Sequence, residues 1–128
     1  MRLLLDTHAF LWWLDGDRRI PTRIRRLVGD PRNEVLVSAA TAWELTTKAR
    51  LGKLAGAREV AADVAGCIAS QGFVALPITV AHAQRAGSMP GPHRDPFDRM
   101  LAAQSLLESV PLVSSDPAFP SLGVAPLW

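Results

Sequence analysis

Short apolar runs, each followed by a stretch of helical periodicity, recur along this 128-residue chain, and that alternation restricts it to few architectures. Leu3-Leu4-Leu5 ends at Asp6, and Glu34 to Val37 ends at Ser38; Phe73 to Leu76 and Pro111 to Ser114 are the later runs. Continuous apolar character marks strands buried on both faces. Between the runs, Thr7-His8 opens a helix through Phe10, Leu11 and Leu14, and Pro21 leads an Arg-rich segment that ends near Val28. Another helix follows Ser38, a further one spans Glu59 to Ser70 with Val60, Val64, Cys67 and Ile68 inward, and Thr79 caps a short helix through Ala86. Strand and helix in alternation imply a parallel sheet with helices on both sides. The expected fold is therefore α/β: a three-layer α/β/α arrangement around a central parallel sheet of four to five strands. Val124 to Leu127 is the optional fifth strand, with Trp128 packed at its edge. A chain of this length buries most of its apolar surface in one core, so residues 1–128 read as a single domain.

Charge and cysteine content narrow the function classes. The formal net charge is only +2, yet twelve of the 14 basic residues are Arg, and Arg18, Arg19, Arg23, Arg25 and Arg26 crowd into nine positions. Arg suits phosphate, although such a cluster is also what a solvated helix face looks like. The single Cys67 has no internal disulfide partner, which fits a reducing compartment, and it reads as a small core residue. Asp6 interrupts the first apolar run and no run approaches membrane-spanning length, so the expectation is a cytoplasmic protein without signal peptide or membrane contact.

The stretch from His93 to Met100 concentrates the chemistry. Asp95 reads as an N-cap, Pro96 as the first helical position, and Asp98 as the third residue of that first turn. Two carboxylates three residues apart then share one face near a positive helix end. Helix capping alone accounts for such a pair. Other acids stand in comparable positions, however: Asp6 ends the first strand and Asp116 follows the fourth. Glu44 has two readings, since Thr41 and Glu44 have capping-box spacing, and Glu44 with Lys48 has the i, i+4 spacing of a surface ion pair. A cap at Ser38 instead places Glu44 in the second turn, within reach of the strand edge, and Ser38 is preferred because it directly follows the strand. His8 and His82 read as packed or capping histidines, and Trp43 as a core or interface residue.

In a parallel sheet, Asp6, Glu44, Asp98 and Asp116 all arrive at the carboxyl edge, where open α/β sheets bind ligands. Carboxylates packed together raise one another's pKa unless a cation neutralises them. An oxygen-only donor set selects a hard ion, Mg²⁺ or Mn²⁺, and no Cys/His set has zinc spacing. Such an ion activates water and steadies charge on a phosphodiester, which points to hydrolysis of a nucleic-acid backbone.

These residues, taken in order, resemble a PIN-domain ribonuclease of the VapC type, the toxin of a type II toxin–antitoxin pair. The resemblance covers essentially the whole chain. It rests on Leu3-Leu4-Leu5-Asp6-Thr7-His8-Ala9, on Ser38 to Leu45 with the later Leu51-Gly52-Lys53-Leu54, on Leu76-Pro77-Ile78, on His93 to Gln104, and on Ser115-Asp116. It implies that Asp6, Glu44, Asp98 and Asp116 are the catalytic, metal-binding acidic quartet, with Asp95 as an auxiliary acid; which of Asp95 and Asp98 touches the metal directly stays open. It further implies Mg²⁺- or Mn²⁺-dependent endonucleolytic cleavage of RNA, a homodimer, and a cognate VapB-type antitoxin that joins the toxin in a hetero-oligomer and masks the acidic pocket. A receiver-type phosphotransfer domain is disfavoured because Asp116, not Lys, follows the fourth strand, and a haloacid-dehalogenase-like phosphatase because His8 stands two residues after Asp6. The competing reading is a non-catalytic PIN-fold RNA-binding or regulatory module.

Overall fold

A computed structural model describes residues 1–128. Four strands, β1 (Arg2–Leu5), β2 (Glu34–Ser38), β3 (Val74–Leu76) and β4 (Leu112–Val113), form one all-parallel sheet in the order β3-β2-β1-β4. The helices are α1 (Thr7–Asp15), α2 (Thr22–Gly29), α3 (Ala39–Arg50), α4 (Ala57–Ala61), α5 (Val64–Ser70), α6 (Val80–Ser88) and α7 (Pro96–Glu108), and a 3₁₀ turn covers Phe119–Leu122.

Strand side chains alternate between the two faces, so the continuous apolar runs feed two cores at once. Leu3, Leu5, Val35, Val37 and Val113 pack with Phe10, Ile24, Leu45 and Ile68 from the helices on one side. Leu4, Leu36, Leu76 and Leu112 pack with Ala86, Leu101, Ala102 and Phe119 on the other. The result is the expected three-layer α/β/α sandwich. Central β1 pairs Leu4 with both Leu36 and Leu112, and Leu5 with both Val37 and Val113, so every backbone group of its middle is shared with a neighbour.

Three expectations differ in detail. The fifth strand reduces to one parallel bridge between Val113 and Leu127, and Trp128 leans on Trp12 with ring centroids 5.7 Å apart. The helix expected over Glu59 to Ser70 is broken in two, because Asp63 leaves helical geometry to cap α5, accepting from the Gly66 N–H at 2.9 Å. Gly66 permits this: a Cβ there would stand 2.1 Å from Asp63 Oδ2. Of the two alternatives for Trp43, the core one is excluded, since 54% of it is exposed. No helix is long and apolar enough to cross a membrane.

Candidate active site

Each strand delivers its last residues to the carboxyl edge, where helix caps take over the backbone. Asp6 ends β1 and caps α1, its Oδ1 accepting from the Ala9 N–H at 2.8 Å, and is only 6% exposed. Ser38 ends β2 and caps α3 as preferred, its Oγ accepting from the Ala40 N–H and donating to Gln104 Oε1 at 2.5 Å. Gln104 of α7 in turn donates to the Pro77 carbonyl beyond β3, so the ends of β2, β3 and α7 are tied by one buried amide. His82 is the buried capping histidine expected, closing a capping box with Thr79. His8 is exposed instead, leaning on Trp12.

The cap at Ser38 places Glu44 in the second turn of α3, where its side chain points inward and is almost fully buried. Thr7 Oγ1 donates to Glu44 Oε1 at 2.5 Å and stands 3.2 Å from Thr41 Oγ1. Lys48 Nζ donates to Glu44 Oε2. The expected i, i+4 pair therefore exists, but as a buried carboxylate with a largely covered ammonium rather than as a surface pair.

Asp95 caps α7, accepting from the N–H groups of Phe97 at 2.9 Å and Asp98 at 3.2 Å, with Pro96 at the first helical position. Asp98 follows in the first turn, and His93 Nε2 lies 3.1 Å from its Oδ2. Arg99 secures the loop that carries His93: its guanidinium donates to the carbonyls of Ala86, Met89 and His93. Asp116, beyond β4, receives the Ala118 N–H at 2.9 Å while its own N–H donates to Ser114 Oγ.

All four acids, and Asp95, are brought to one edge closely enough to feel one another. Burial pushes the Asp6 carboxyl up to about 6; Ser114 and the Ala9 N–H oppose this, and the charges of Asp116 and Glu44 add to it. Burial likewise lifts Asp98 to about 6, reinforced by Asp95, opposed by His93, and reinforced again by Asp116 and Glu44. Burial disfavours the Lys48 ammonium, but its bond to Glu44 and the charges of Glu44, Asp95 and Asp98 outweigh that and raise its pKa. The edge is thus short of positive charge. The donor set is oxygen-only and anionic, which suits a hard divalent cation. The side chains are not closed around a common point, however, and no three acidic or histidine groups form a ready ligand set.

The pattern of the PIN-domain family matches residues 3–124. The chain belongs to the PIN-domain family. This PIN domain is also similar in fold to several solved structures. VapBC2 from Rickettsia felis bound to a promoter DNA fragment superposes with a TM-score of 0.68 at 15% identity, over 95% of this chain and 93% of that one. FitAcB from Neisseria gonorrhoeae gives 0.65 at 20% identity, over 98% and 96%. VapC20 from Mycobacterium tuberculosis, a toxin that cleaves the sarcin–ricin loop, gives 0.63 at 17% identity, over 98% of each chain. No curated protein matches this chain significantly.

Thr7, His93 and Ser114 touch the acids without having been singled out in the sequence as site residues, and Lys48 was expected only as a surface partner of Glu44. Thr7 and His93 carried a signal only in their nearness to Asp6 and Asp98. The Arg cluster contributes nothing here. Arg19 pairs with Asp17 at 2.8 Å and lies over Trp12, and Arg25 binds the carbonyls of Asp17 and Ile20, all beyond the far end of α1 from Asp6.

Proposed function

We propose that this PIN domain is a Mg²⁺- or Mn²⁺-dependent endoribonuclease and the toxin of a toxin–antitoxin pair, acting in the cytoplasm. The observation that carries the reading is the convergence of Asp6, Glu44, Asp98 and Asp116 from four separate parts of the chain, with Asp6 and Asp98 both pushed up to about 6. These four carboxylates would hold the ion, and Asp95 would serve as an auxiliary acid at its side. A bound divalent ion supplies Lewis acidity at a phosphoryl oxygen and acidifies a water molecule.

The chain's own residues do the rest. The Ala9 N–H fixes one oxygen of Asp6, so that its other oxygen is presented in a defined direction, while Thr7 and Lys48 hold the two oxygens of Glu44 in place. His93 orients Asp98 through the hydrogen bond between its Nε2 and Asp98 Oδ2. The N-terminus of α7 favours negative charge at Asp95 and Asp98, where a phosphodiester would also enter. The similar structures include the paired proteins VapBC2 from Rickettsia felis, VapBC-1 from nontypeable Haemophilus influenzae and FitAB, which supports a cognate VapB-type antitoxin here. Such a partner would carry Arg or Lys to cover the acids it buries. A homodimer accompanies this reading.

Purified, partner-free protein incubated with structured RNA, in Mg²⁺, Mn²⁺ or EDTA and beside an Asp98→Asn control, tests it. Cleavage that requires both metal and Asp98 is the expected result. RNA binding that survives EDTA and Asp98→Asn with no cleavage in any arm would establish the non-catalytic module instead.

A further inference from the structure

Among the five acids of the carboxyl edge, only Glu44 pairs with a Lys or Arg, and that partner is Lys48. The pair differs from the ion pairs that the arginines make. Arg2 and Glu34 are 46% and 49% exposed, whereas Glu44 is 5% exposed and Lys48 is 27% exposed. Both oxygens of Glu44 are already engaged, Oε1 by the Thr7 hydroxyl and Oε2 by the Lys48 ammonium. A neutral hydroxyl can stay while its acceptor also binds a cation; a second positive charge on the same oxygen cannot. The ammonium also lies within the field of Asp95 and Asp98, so it sits on the pocket side of α3 and not on its solvent face.

We propose that Lys48 is the resident counter-ion of the acidic pocket: it holds Glu44 in the metal-free protein, yields that oxygen when a divalent cation binds, and thereby weakens and sets the protein's metal affinity. The inference rests on the reading of these acids as metal ligands. It follows from the atoms present: an ion that takes Oε2 of Glu44, alone or together with Oε1, displaces Lys48 Nζ from it, and a flexible four-carbon stem lets the ammonium move aside without disturbing α3. The device also explains how a buried Glu44 remains tolerable before metal arrives, since an unpaired buried carboxylate is strongly destabilising.

Calorimetric titration of the partner-free full chain with Mn²⁺ at pH 7.5 tests this. Lys48→Met keeps the stem and removes the charge, Lys48→Gln repeats the charge removal with a polar group, and Lys48→Arg keeps the charge. The expected result is Mn²⁺ binding about tenfold tighter in Lys48→Met and Lys48→Gln than in wild type, with a larger Mn²⁺-induced rise in Tm, and affinity within about twofold of wild type in Lys48→Arg. Weaker binding in the two neutral variants would make Lys48 a mere support for Glu44, and unchanged binding would make it a solvated ion pair; either overturns the proposal. If wild type binds Mn²⁺ but the neutral variants do not differ from it, only this inference fails. If neither wild type nor any variant binds Mn²⁺, the metal reading of the pocket fails together with the inference.

Discussion

The two ends of the sheet treat the same residue type in opposite ways. At the amino end, Asp30 is chelated by Arg32 at 2.8 Å, Arg2 meets Glu34 at 3.2 Å, and the chain's own N-terminus reaches Asn33. The side-chain and backbone bonds from Arg32 hold the Asp30 carboxyl down at about 2, and Arg19 likewise lowers Asp17 beyond the C-terminus of α1. At the carboxyl end, burial drives Asp6 and Asp98 up to about 6. Aspartates that shape turns are thus given arginines by neighbours two residues away, while those at the carboxyl edge share one lysine and a histidine among five acids. The chain has arginines to spare and places none of them in contact with those acids. That asymmetry is what the proposed reading uses: a divalent ion would supply the charge that the chain itself does not place there.

Exchanging single charges at the two ends should break the comparison most visibly. Asp98→Asn or Asp6→Asn is expected to lower RNA cleavage by about a hundredfold or more, measured as initial rates in Mg²⁺ or Mn²⁺. Asparagine still caps α1, so Asp6→Asn should remain folded by circular dichroism. Asp30→Asn at the other end should leave the cleavage rate unchanged. Next in size, His93→Gln should cost about tenfold in rate at unchanged Tm, because it removes the group that orients Asp98.

Stability against pH sharpens the same contrast. Asp6 and Asp98 bind protons more tightly in the folded chain than in the unfolded one, where their pKa is near 3.8. Their carboxyls therefore stabilise the fold fully below about pH 4, and that stability is lost as pH rises through about 6, on the order of 2–3 kcal/mol for buried Asp6 and less for Asp98, which solvent screens. Metal-free protein should melt at a lower temperature at pH 7.5 than at pH 5, and millimolar Mn²⁺ should restore the loss at pH 7.5 but not at pH 5. A thermal melt in EDTA and in Mn²⁺ at both values reads this out; equal melting temperatures at both pH values in EDTA would show the acids to be already neutralised. The smallest effect belongs to the amino end, where Arg2→Gln should change stability by less than about 1 kcal/mol by urea denaturation.

What the sequence revealed and what it concealed divide along physical lines. The sheet was legible because Leu3-Leu4-Leu5 and Val35-Leu36-Val37 are apolar without alternation, which a strand exposed on one face would not be. The caps at Ser38, Thr79 and Asp95 were legible because a side-chain acceptor one residue before a helix has few other uses. The break at Asp63 was not, since neither Pro nor Gly interrupts the periodicity there and only the space above Gly66 allows the cap. Nor was the setting of Lys48: four residues separate a buried pair from its partner just as they separate a surface pair. The acids could be placed at one edge from topology alone, but their shifted proton affinities depend on how deeply neighbouring side chains cover them.

The strand order has a consequence in time. Asp6 emerges from the ribosome long before Asp116, and β1 stays without its neighbour on one side until β4 is made. An incomplete chain carries its first acids with no partner strand to seat the fourth. Whatever chemistry the pocket performs is withheld from the nascent polypeptide until β4 has paired with β1 and Asp116 has been seated beside it.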